Sequence, residues 1–187
     1  MIDLLKNYSI NARRLKKSAI RELLKLTNRP EIISFAGGLP APEAIPVEEV
    51  AEISSYVLKK DGTKVLQYGA TDGYEPLKEF LAQWMAPRMG RITKPEEMLI
   101  TTGSQQVMDL FAAVMLDPGD AVLLEAPSYP GALHALRNRN ATFISVPCDD
   151  EGMRVSEMPE VIEKARKEGK KIKFIYTIVN FQNPAWS

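Results

Sequence analysis

The sequence predicts an α/β fold with a mainly parallel sheet flanked by helices. Four short apolar segments, beginning near residues 98, 121, 141 and 172, have the length and composition of buried strands. Amphipathic segments of helical length separate them, so the strands recur roughly every 20 to 30 residues. This alternation is typical of βαβ crossovers, in which the strands run parallel and the helices cover the sheet.

The alternation does not extend over the whole chain, which indicates two regions. Residues 1–70 predict an N-terminal arm, with an amphipathic helix over residues 12–26, and part of a small domain. Residues 71–187 predict the N-terminal part of a larger domain. Apolar spacing, prolines in first turns and the order of charges predict helices at residues 47–60, 75–89, 107–116, 131–138 and 156–168.

Composition excludes several classes of function. The 187 residues contain 24 Lys and Arg and 24 Asp and Glu, so no net field attracts nucleic acid or an anionic membrane. The single cysteine, Cys148, cannot form an internal disulfide and suits a reducing compartment. The N-terminal segment lacks the apolar run of a signal peptide, and no Cys and His spacing predicts a metal site. We therefore expect a soluble, cytoplasmic protein.

The stretch from Met98 to Gly131 contains two features that indicate a ligand. Gly103 to Gln106 connect a predicted strand to a helix, and such a turn of small residues presents unpaired backbone N–H groups to an anion such as phosphate. Tyr129 follows the next strand, at the crevice where open α/β sheets bind ligands, and its ring can lie over a planar molecule. A phosphate and a flat ring together outline pyridoxal 5′-phosphate (PLP).

With these residues in view, the chain resembles the PLP-dependent aminotransferases of fold type I (class I/II), in the subgroup of the 2-aminoadipate and kynurenine aminotransferases. The resemblance rests on the arm helix and on four ordered motifs: ISFAGGLPAPEAIP, LQYGATDGYEPLKEFL, ITTGSQQVMDLFAAVMLDPGDAVLLEAPSYPGAL and FIYTIVNFQNP. It implies an enzyme that transfers an amino group between an amino acid and a 2-oxo acid, with an incomplete large domain in this chain.

The resemblance assigns cofactor contacts to individual residues. It implies that Ser104 and Gln105 hold the PLP phosphate and that Tyr129 stacks on the pyridine ring. It also implies that the amide of Asn183 donates a hydrogen bond to the ring hydroxyl oxygen. Local alternatives remain open: a helix N-cap for Ser104, a packing role for Tyr129, and a simple Asn-Pro turn at Asn183.

Two further residues receive roles from the same resemblance. Tyr68 matches a tyrosine that reaches across a dimer interface to the neighbour's cofactor phosphate, which implies a homodimer with a shared active site. Gly38 lies in a loop that borders the substrate in this subgroup, and its local alternative is a glycine required by a tight turn. The tail reads Asn183-Pro184-Ala185 where the family usually has Asn-Pro-Thr-Gly, so the motif alone does not predict the turn.

The resemblance also implies catalytic residues that this sequence does not contain. The family's Schiff-base lysine, the aspartate that faces the pyridine nitrogen and the arginine that binds the substrate carboxylate all follow the Asn-Pro motif. This sequence ends at Ser187, four residues after Asn183. We therefore expect the N-terminal half of an aminotransferase subunit, inactive alone. The alternative is a catalytically inactive module for phosphate or cofactor binding or for dimerisation.

Overall fold

The structure, a computed structural model, describes residues 4–14, 31–32 and 40–185. These residues form two compact units. One unit contains residues 4–14 and 101–185, and the other contains residues 31–32 and 40–100. The predicted domain boundary at residue 70 remains a prediction.

The unit that ends at residue 100 contains two long helices, α2 (Val47–Val65) and α3 (Glu75–Met89). Helix α3 has the predicted bounds because Pro76 fits the first turn and Gly90 ends the helix in the left-handed conformation, with φ of 66°. Helix α2 continues five residues beyond its predicted end, across a kink at Asp61. None of the described helices is long and apolar enough to cross a membrane.

The other unit begins with a short helix, α1 (Ile10–Arg14), and continues from residue 101 with the sheet and its helices. The rest of the helix predicted over residues 12–26 lies outside the described residues. The remaining helices and strands are α4 (Ser104–Met115), β1 (Ala121–Ala126), α5 (Pro130–Asn138), β2 (Thr142–Asp149), β3 (Gly152–Met153), α6 (Met158–Lys167) and β4 (Ile172–Tyr176).

The sheet has the order β3-β2-β1-β4 and is mainly parallel, as predicted. Strand β1 pairs in parallel with both β2 and β4, and the two-residue β3 pairs antiparallel with the end of β2. Because β1 lies between two strands, its first five residues are buried, which accounts for its nearly continuous apolar sequence. Val122 and Leu124 pack with Leu116 and Leu136 from the flanking helices.

The strand predicted near residue 98 is wrong. Met98 has extended backbone angles, with φ of −111° and ψ of 141°, but within the described chain it joins no strand ladder. The Met98 N–H instead donates to the Pro95 carbonyl at 3.1 Å, and the Ile100 N–H donates to the carbonyl of Asp72 at 3.0 Å. An apolar sequence favours the extended conformation, but a strand also needs a neighbour in register, which the local sequence cannot reveal.

Candidate functional site

The carboxyl ends of β1 and β4 form one edge of the parallel sheet. Strand β1 ends at Ala126 and leads through residues 127–129 into α5, while β4 ends at Tyr176 and leads into residues 177–185. In open parallel sheets this edge is where ligands bind. Ser104, Gln105, Tyr129 and Asn183 all lie in this unit, and the last two lie on loops that leave the edge.

Helix α4 begins with an uncapped first turn. Gly103 occupies the N-cap position with φ of 90° and ψ of 173°, and no side chain caps the helix. Ser104 is the first helical residue, so the alternative that Ser104 is the N-cap is wrong: the positive φ at the cap position favours glycine. In this turn the Gln106 N–H donates to the Gly103 carbonyl at 3.2 Å, whereas the N–H groups of Ser104 and Gln105 precede the first intrahelical hydrogen bond and can bind an anion.

The turn before α4 is fixed by Gln106. Its Oε1 accepts hydrogen bonds from the backbone N–H of Thr102, at 2.6 Å, and from the Thr102 hydroxyl, at 2.9 Å. Thr101 adds a hydrogen bond from its hydroxyl to the Gly103 carbonyl, at 3.3 Å. These contacts hold the peptide groups next to the open end of the helix, so the donors there do not have to be ordered by a ligand.

Gln105 and Tyr129 meet at Gly131. The Gln105 side-chain amide donates to the Gly131 carbonyl at 3.2 Å, which links the first turns of α4 and α5. A β-carbon at Gly131 would overlap the Tyr129 ring and would stand 2.8 Å from Gln105 Oε1. The half-buried Tyr129 ring therefore lies directly against the backbone of Gly131, a close approach that only glycine permits.

A buried carboxylate, Glu125, lies one residue before the end of β1 and is 2% exposed. It accepts hydrogen bonds from the Thr177 hydroxyl at 2.5 Å, from the Ile178 N–H at 3.3 Å, and from the Gln182 amide at 2.9 Å. Sequence reasoning missed this network, whose members are separated by more than 50 residues. The one available signal was an acidic residue inside an otherwise apolar strand.

Gln182 connects the two loops at the edge of the sheet. Its amide nitrogen also donates to the Pro127 carbonyl at 2.8 Å, and its amide oxygen accepts from the Ala185 N–H at 2.7 Å. Residues 183–185 therefore form a turn even without the family's usual Thr-Gly sequence. Asn183 begins this turn with an exposed side chain, and the structure gives it no hydrogen bond to another described residue.

The two remaining predicted residues are not brought to this edge by the described contacts. Tyr68 belongs to the other unit, where its side chain is 99% exposed. Gly38 lies outside the described residues. Their predicted roles, at the cofactor phosphate of a neighbouring subunit and beside the substrate, remain predictions.

The Glu125 carboxylate also affects nearby titrating groups. Burial raises the pKa of the Tyr176 phenol, and the negative charge of Glu125 raises it further. Burial likewise raises the pKa of the Cys148 thiol, again with a smaller contribution from Glu125. Both groups are consequently held in their neutral forms at neutral pH, and Glu125 is a source of negative potential at the carboxyl edge.

Comparison with known proteins agrees with the fold. The sequence profile described as aminotransferase class I and II matches residues 31–185. The chain belongs to this family of enzymes.

Individual relatives of the chain include one that is named for the predicted subgroup. The chain is 50% identical to the 2-aminoadipate transaminase of Thermus thermophilus over 92% of its own length and 41% of that relative. It is 46% identical to aromatic-amino-acid aminotransferase 1 of Thermococcus litoralis, over 98% of its own length and 44% of that relative. The chain thus spans less than half the length of both relatives.

A solved structure shows the same fold. The kynurenine aminotransferase of Pyrococcus horikoshii, described in complex with PMP, kynurenine and its product, superposes with a TM-score of 0.88 at 42% sequence identity. The match covers 97% of this chain and 45% of that one. The prediction of fold type I is confirmed, for a portion of the complete fold.

Proposed function

We propose that this chain supplies the cofactor-binding half of a PLP-dependent aminotransferase that transfers an amino group between an amino acid and a 2-oxo acid. The observation that carries the proposal is the meeting of Gln105 and Tyr129 at Gly131, beside the uncapped first turn of α4. A phosphate site and an aromatic surface at one edge of a parallel sheet match the two chemically distinct ends of PLP.

The residues present fit PLP. The uncapped N–H groups at Ser104 and Gln105, with the positive end of the α4 dipole, can bind a phosphate dianion, and the Ser104 hydroxyl adds a donor. Because Gly131 lacks a β-carbon, the Tyr129 ring stays close to this turn. An exposed amide at Asn183 can donate to the oxygen on the pyridine ring.

PLP, when bound, withdraws electrons from the α-carbon of an amino acid. The residues of this chain have supporting tasks: Ser104 and Gln105 anchor the phosphate, Tyr129 stacks on the ring and fixes its orientation, and Asn183 stabilises negative charge on the ring oxygen. None of them is assigned a proton-transfer step. That chemistry is expected from residues that the family carries after its Asn-Pro motif.

The finer features of the proposal concern assembly, location and substrate. We infer a homodimer in which the exposed Tyr68 reaches a neighbouring subunit's phosphate site and Gly38 borders the substrate. A cytoplasmic location suits a chain with one cysteine. Relatives named for 2-aminoadipate and for aromatic amino acids favour a substrate with a long or aromatic side chain. Membership in an enzyme family disfavours the inactive module.

The first test measures PLP affinity by equilibrium dialysis with the complete translation product of the gene. Tyr129→Ala removes the stacking surface and is expected to raise the Kd about threefold to tenfold. Tyr56→Ala, which removes an exposed tyrosine from α2, is the matched control and should leave the Kd unchanged. Equal effects of both substitutions, or none from Tyr129→Ala, would remove Tyr129 from the site.

A second test uses the 187-residue chain itself. Treatment with PLP and borohydride, followed by peptide mapping, should give no single stoichiometrically modified lysine, because no lysine in this chain occupies the reactive position of the family. Modification of one lysine in full yield would show that this chain carries its own reactive centre. In a separate assay, the rates at which the complete product transaminates 2-aminoadipate, kynurenine and aromatic amino acids would define the substrate.

A further inference from the structure

The Gln182 side chain, at the carboxyl edge of the sheet, is hydrogen-bonded through both its amide nitrogen and its amide oxygen. It is 1% exposed, and its amide nitrogen donates to Glu125 and to the Pro127 carbonyl while its amide oxygen accepts from the Ala185 N–H. Both ends of the side chain amide are therefore occupied. One side of Gln182 is attached to the loop after β1, and the other side is attached to the turn at residues 183–185.

Asn183, the next residue, has the opposite environment. Its side chain is exposed and is held by no hydrogen bond to another described residue. The backbone sets the direction in which the Cα–Cβ bond of Asn183 points, and this backbone lies between Gln182 and the Ala185 N–H that Gln182 binds. The position of the Asn183 amide thus depends on Gln182.

We propose that Glu125, Thr177 and Gln182 form a buried clasp that positions Asn183 for the cofactor. The clasp acts through Asn183 and does not touch the ligand, so its members are positioning residues. This inference rests on the proposed function, because Asn183 is the residue assigned to the cofactor ring. The same clasp fixes the loop that leads to Tyr129, through the Pro127 carbonyl.

The hydrogen bonds of the clasp suit a role in orienting the turn at residues 183–185 better than a role in stabilising the fold as a whole. Apolar side chains of similar volume could fill the space, but they would not select one orientation of the turn, whereas directional hydrogen bonds do. Glu125 accepts from a hydroxyl, a backbone N–H and an amide, which satisfies its oxygens without a cation. A fully satisfied buried network of this kind specifies one geometry.

The test is a double-mutant cycle on PLP affinity in the complete translation product. Gln182→Met keeps the approximate volume and removes every hydrogen bond of the amide, and Asn183→Ala removes the group that the clasp positions. If the clasp acts through Asn183, Gln182→Met raises the Kd about tenfold in the native background and less than about twofold with Asn183→Ala. An equal increase in both backgrounds would show general destabilisation and overturn the proposal.

A second readout does not require the cofactor. Hydrogen exchange of the Ala185 N–H in the apo protein should accelerate about tenfold or more in Gln182→Met, because this amide loses its acceptor. Unchanged exchange would contradict the clasp. Asp120→Asn, which alters the buried carboxylate before the start of β1, is the control and should change neither the exchange of Ala185 nor the Kd for PLP.

Two results of these experiments would not by themselves contradict the clasp: no effect of Asn183→Ala on the Kd, and failure of Gln182→Met to fold. If Asn183→Ala alone leaves the Kd unchanged, the proposed role of Asn183 is wrong, and exchange of the Ala185 N–H decides whether the clasp positions the turn. If Gln182→Met does not fold, Thr177→Val removes one donor to Glu125 at conserved shape and should raise the Kd about threefold. No change in Kd with folded Thr177→Val would count against the clasp.

Discussion

Strand β1 has a buried carboxylate at each end, and the two are held in different ways. Asp120, immediately before the strand, accepts the Asp117 N–H at 2.8 Å and lies 3.3 Å from the Lys173 ammonium and 3.9 Å from that of Lys171. Glu125, roughly 16 Å along the strand, accepts hydrogen bonds from neutral donors instead. The first carboxylate is stabilised by the positive charges of two lysines, and the second by directional hydrogen bonds from uncharged groups.

The two ends of the strand therefore differ in how their carboxylates are held, and the second lies at the edge that we propose binds the cofactor. At Asp120 the lysines on and beside β4 neutralise the carboxylate, so little of its field extends into the sheet. At Glu125 the uncompensated charge raises the pKa of Tyr176, in addition to the larger effect of burial. The edge of a parallel sheet that binds a ligand needs side chains that are held in one orientation but remain free to contact the ligand. Hydrogen bonds to uncharged partners can hold neighbouring groups in this way.

The largest effect is expected from truncating the two carboxylates. Glu125→Ala leaves the Ile178 N–H and one of the two Gln182 amide N–H groups without an acceptor, at a cost of about 1–3 kcal/mol for each orphaned donor. Denaturant unfolding should show this loss, and PLP affinity of the complete product should fall with it. Asp120→Ala should lower stability and leave PLP affinity unchanged. Loss of affinity in Asp120→Ala of the same size as in Glu125→Ala would remove the distinction between the ends.

Two glycines, one before the amino end of β1 and one after its carboxyl end, allow a second comparison of the two ends of this strand. Gly131→Ala places a methyl group against the Tyr129 ring and Gln105, and overpacking of this kind costs about 1–3 kcal/mol. Because the displaced groups are the proposed PLP contacts, the Kd for PLP should rise as well. Gly119→Ala, in the turn before β1, meets no atom within 4 Å but has φ of 95°, so it should strain the backbone only.

Equilibrium dialysis and thermal unfolding of both glycine variants provide the measurement. The expected pattern is a lower midpoint of unfolding in both and a higher Kd in Gly131→Ala alone. A normal Kd in Gly131→Ala would mean that Tyr129 and Gln105 do not contact the cofactor together. A raised Kd in Gly119→Ala would mean that strain at the amino end is transmitted along β1.

The sequence predicted the helices and strands better than the contacts at the carboxyl edge of the sheet. The apolar run of β1, Pro76 at the start of α3 and Gly90 at its end are local signals, and the structure has the corresponding strand and helix. Ser104, Gln105, Tyr129 and Asn183 were assigned to the cofactor through their resemblance to family motifs, and these assignments remain proposals. These motifs mark a position in the chain, but they do not reveal that Gln105 and Tyr129 meet at Gly131.

Long-range partners are what sequence reasoning could not supply. Glu125 and Gln182 are hydrogen-bonded across 57 positions of the chain, and no local pattern marks Gln182 as buried. The strand predicted near residue 98 failed for the same reason, because pairing is decided by a neighbour distant in sequence. The hydrogen-bond partners of Glu125 and Gln182 therefore could be identified only in the structure. Residues that follow a turn or the end of a strand could be singled out from the sequence.

A smaller effect is expected at acidic pH. The Asp117 N–H, and then Lys173 and Lys171, hold the pKa of Asp120 below its ordinary range. A carboxyl group with a lowered folded pKa stabilises the protein above its unfolded pKa of about 3.9, and this contribution is lost as the pH falls through the folded pKa. Asp120→Asn should therefore be less stable than the parent at pH 6 and lose less stability on acidification.

Urea unfolding from pH 6 to pH 2 would measure how the free energy of unfolding depends on pH in the parent and in Asp120→Asn. The two proteins should become more similar in stability as the pH falls below about 3.9. A constant difference over the whole range would mean that Asp120 does not titrate in this interval, and that its interactions with Lys171 and Lys173 do not depend on its charge.

The smallest effect concerns Cys148, which reports on the charge of Glu125. Burial raises the pKa of this thiol most, and the Glu125 carboxylate raises it further, so alkylation by iodoacetamide at pH 8 should be slow. Glu125→Gln removes the charge at nearly constant shape, which should lower the thiol pKa and accelerate alkylation about twofold. Asp120→Asn, at the opposite end of β1, should not change the rate. An unchanged rate in Glu125→Gln would contradict an effect of the Glu125 carboxylate on the Cys148 thiol.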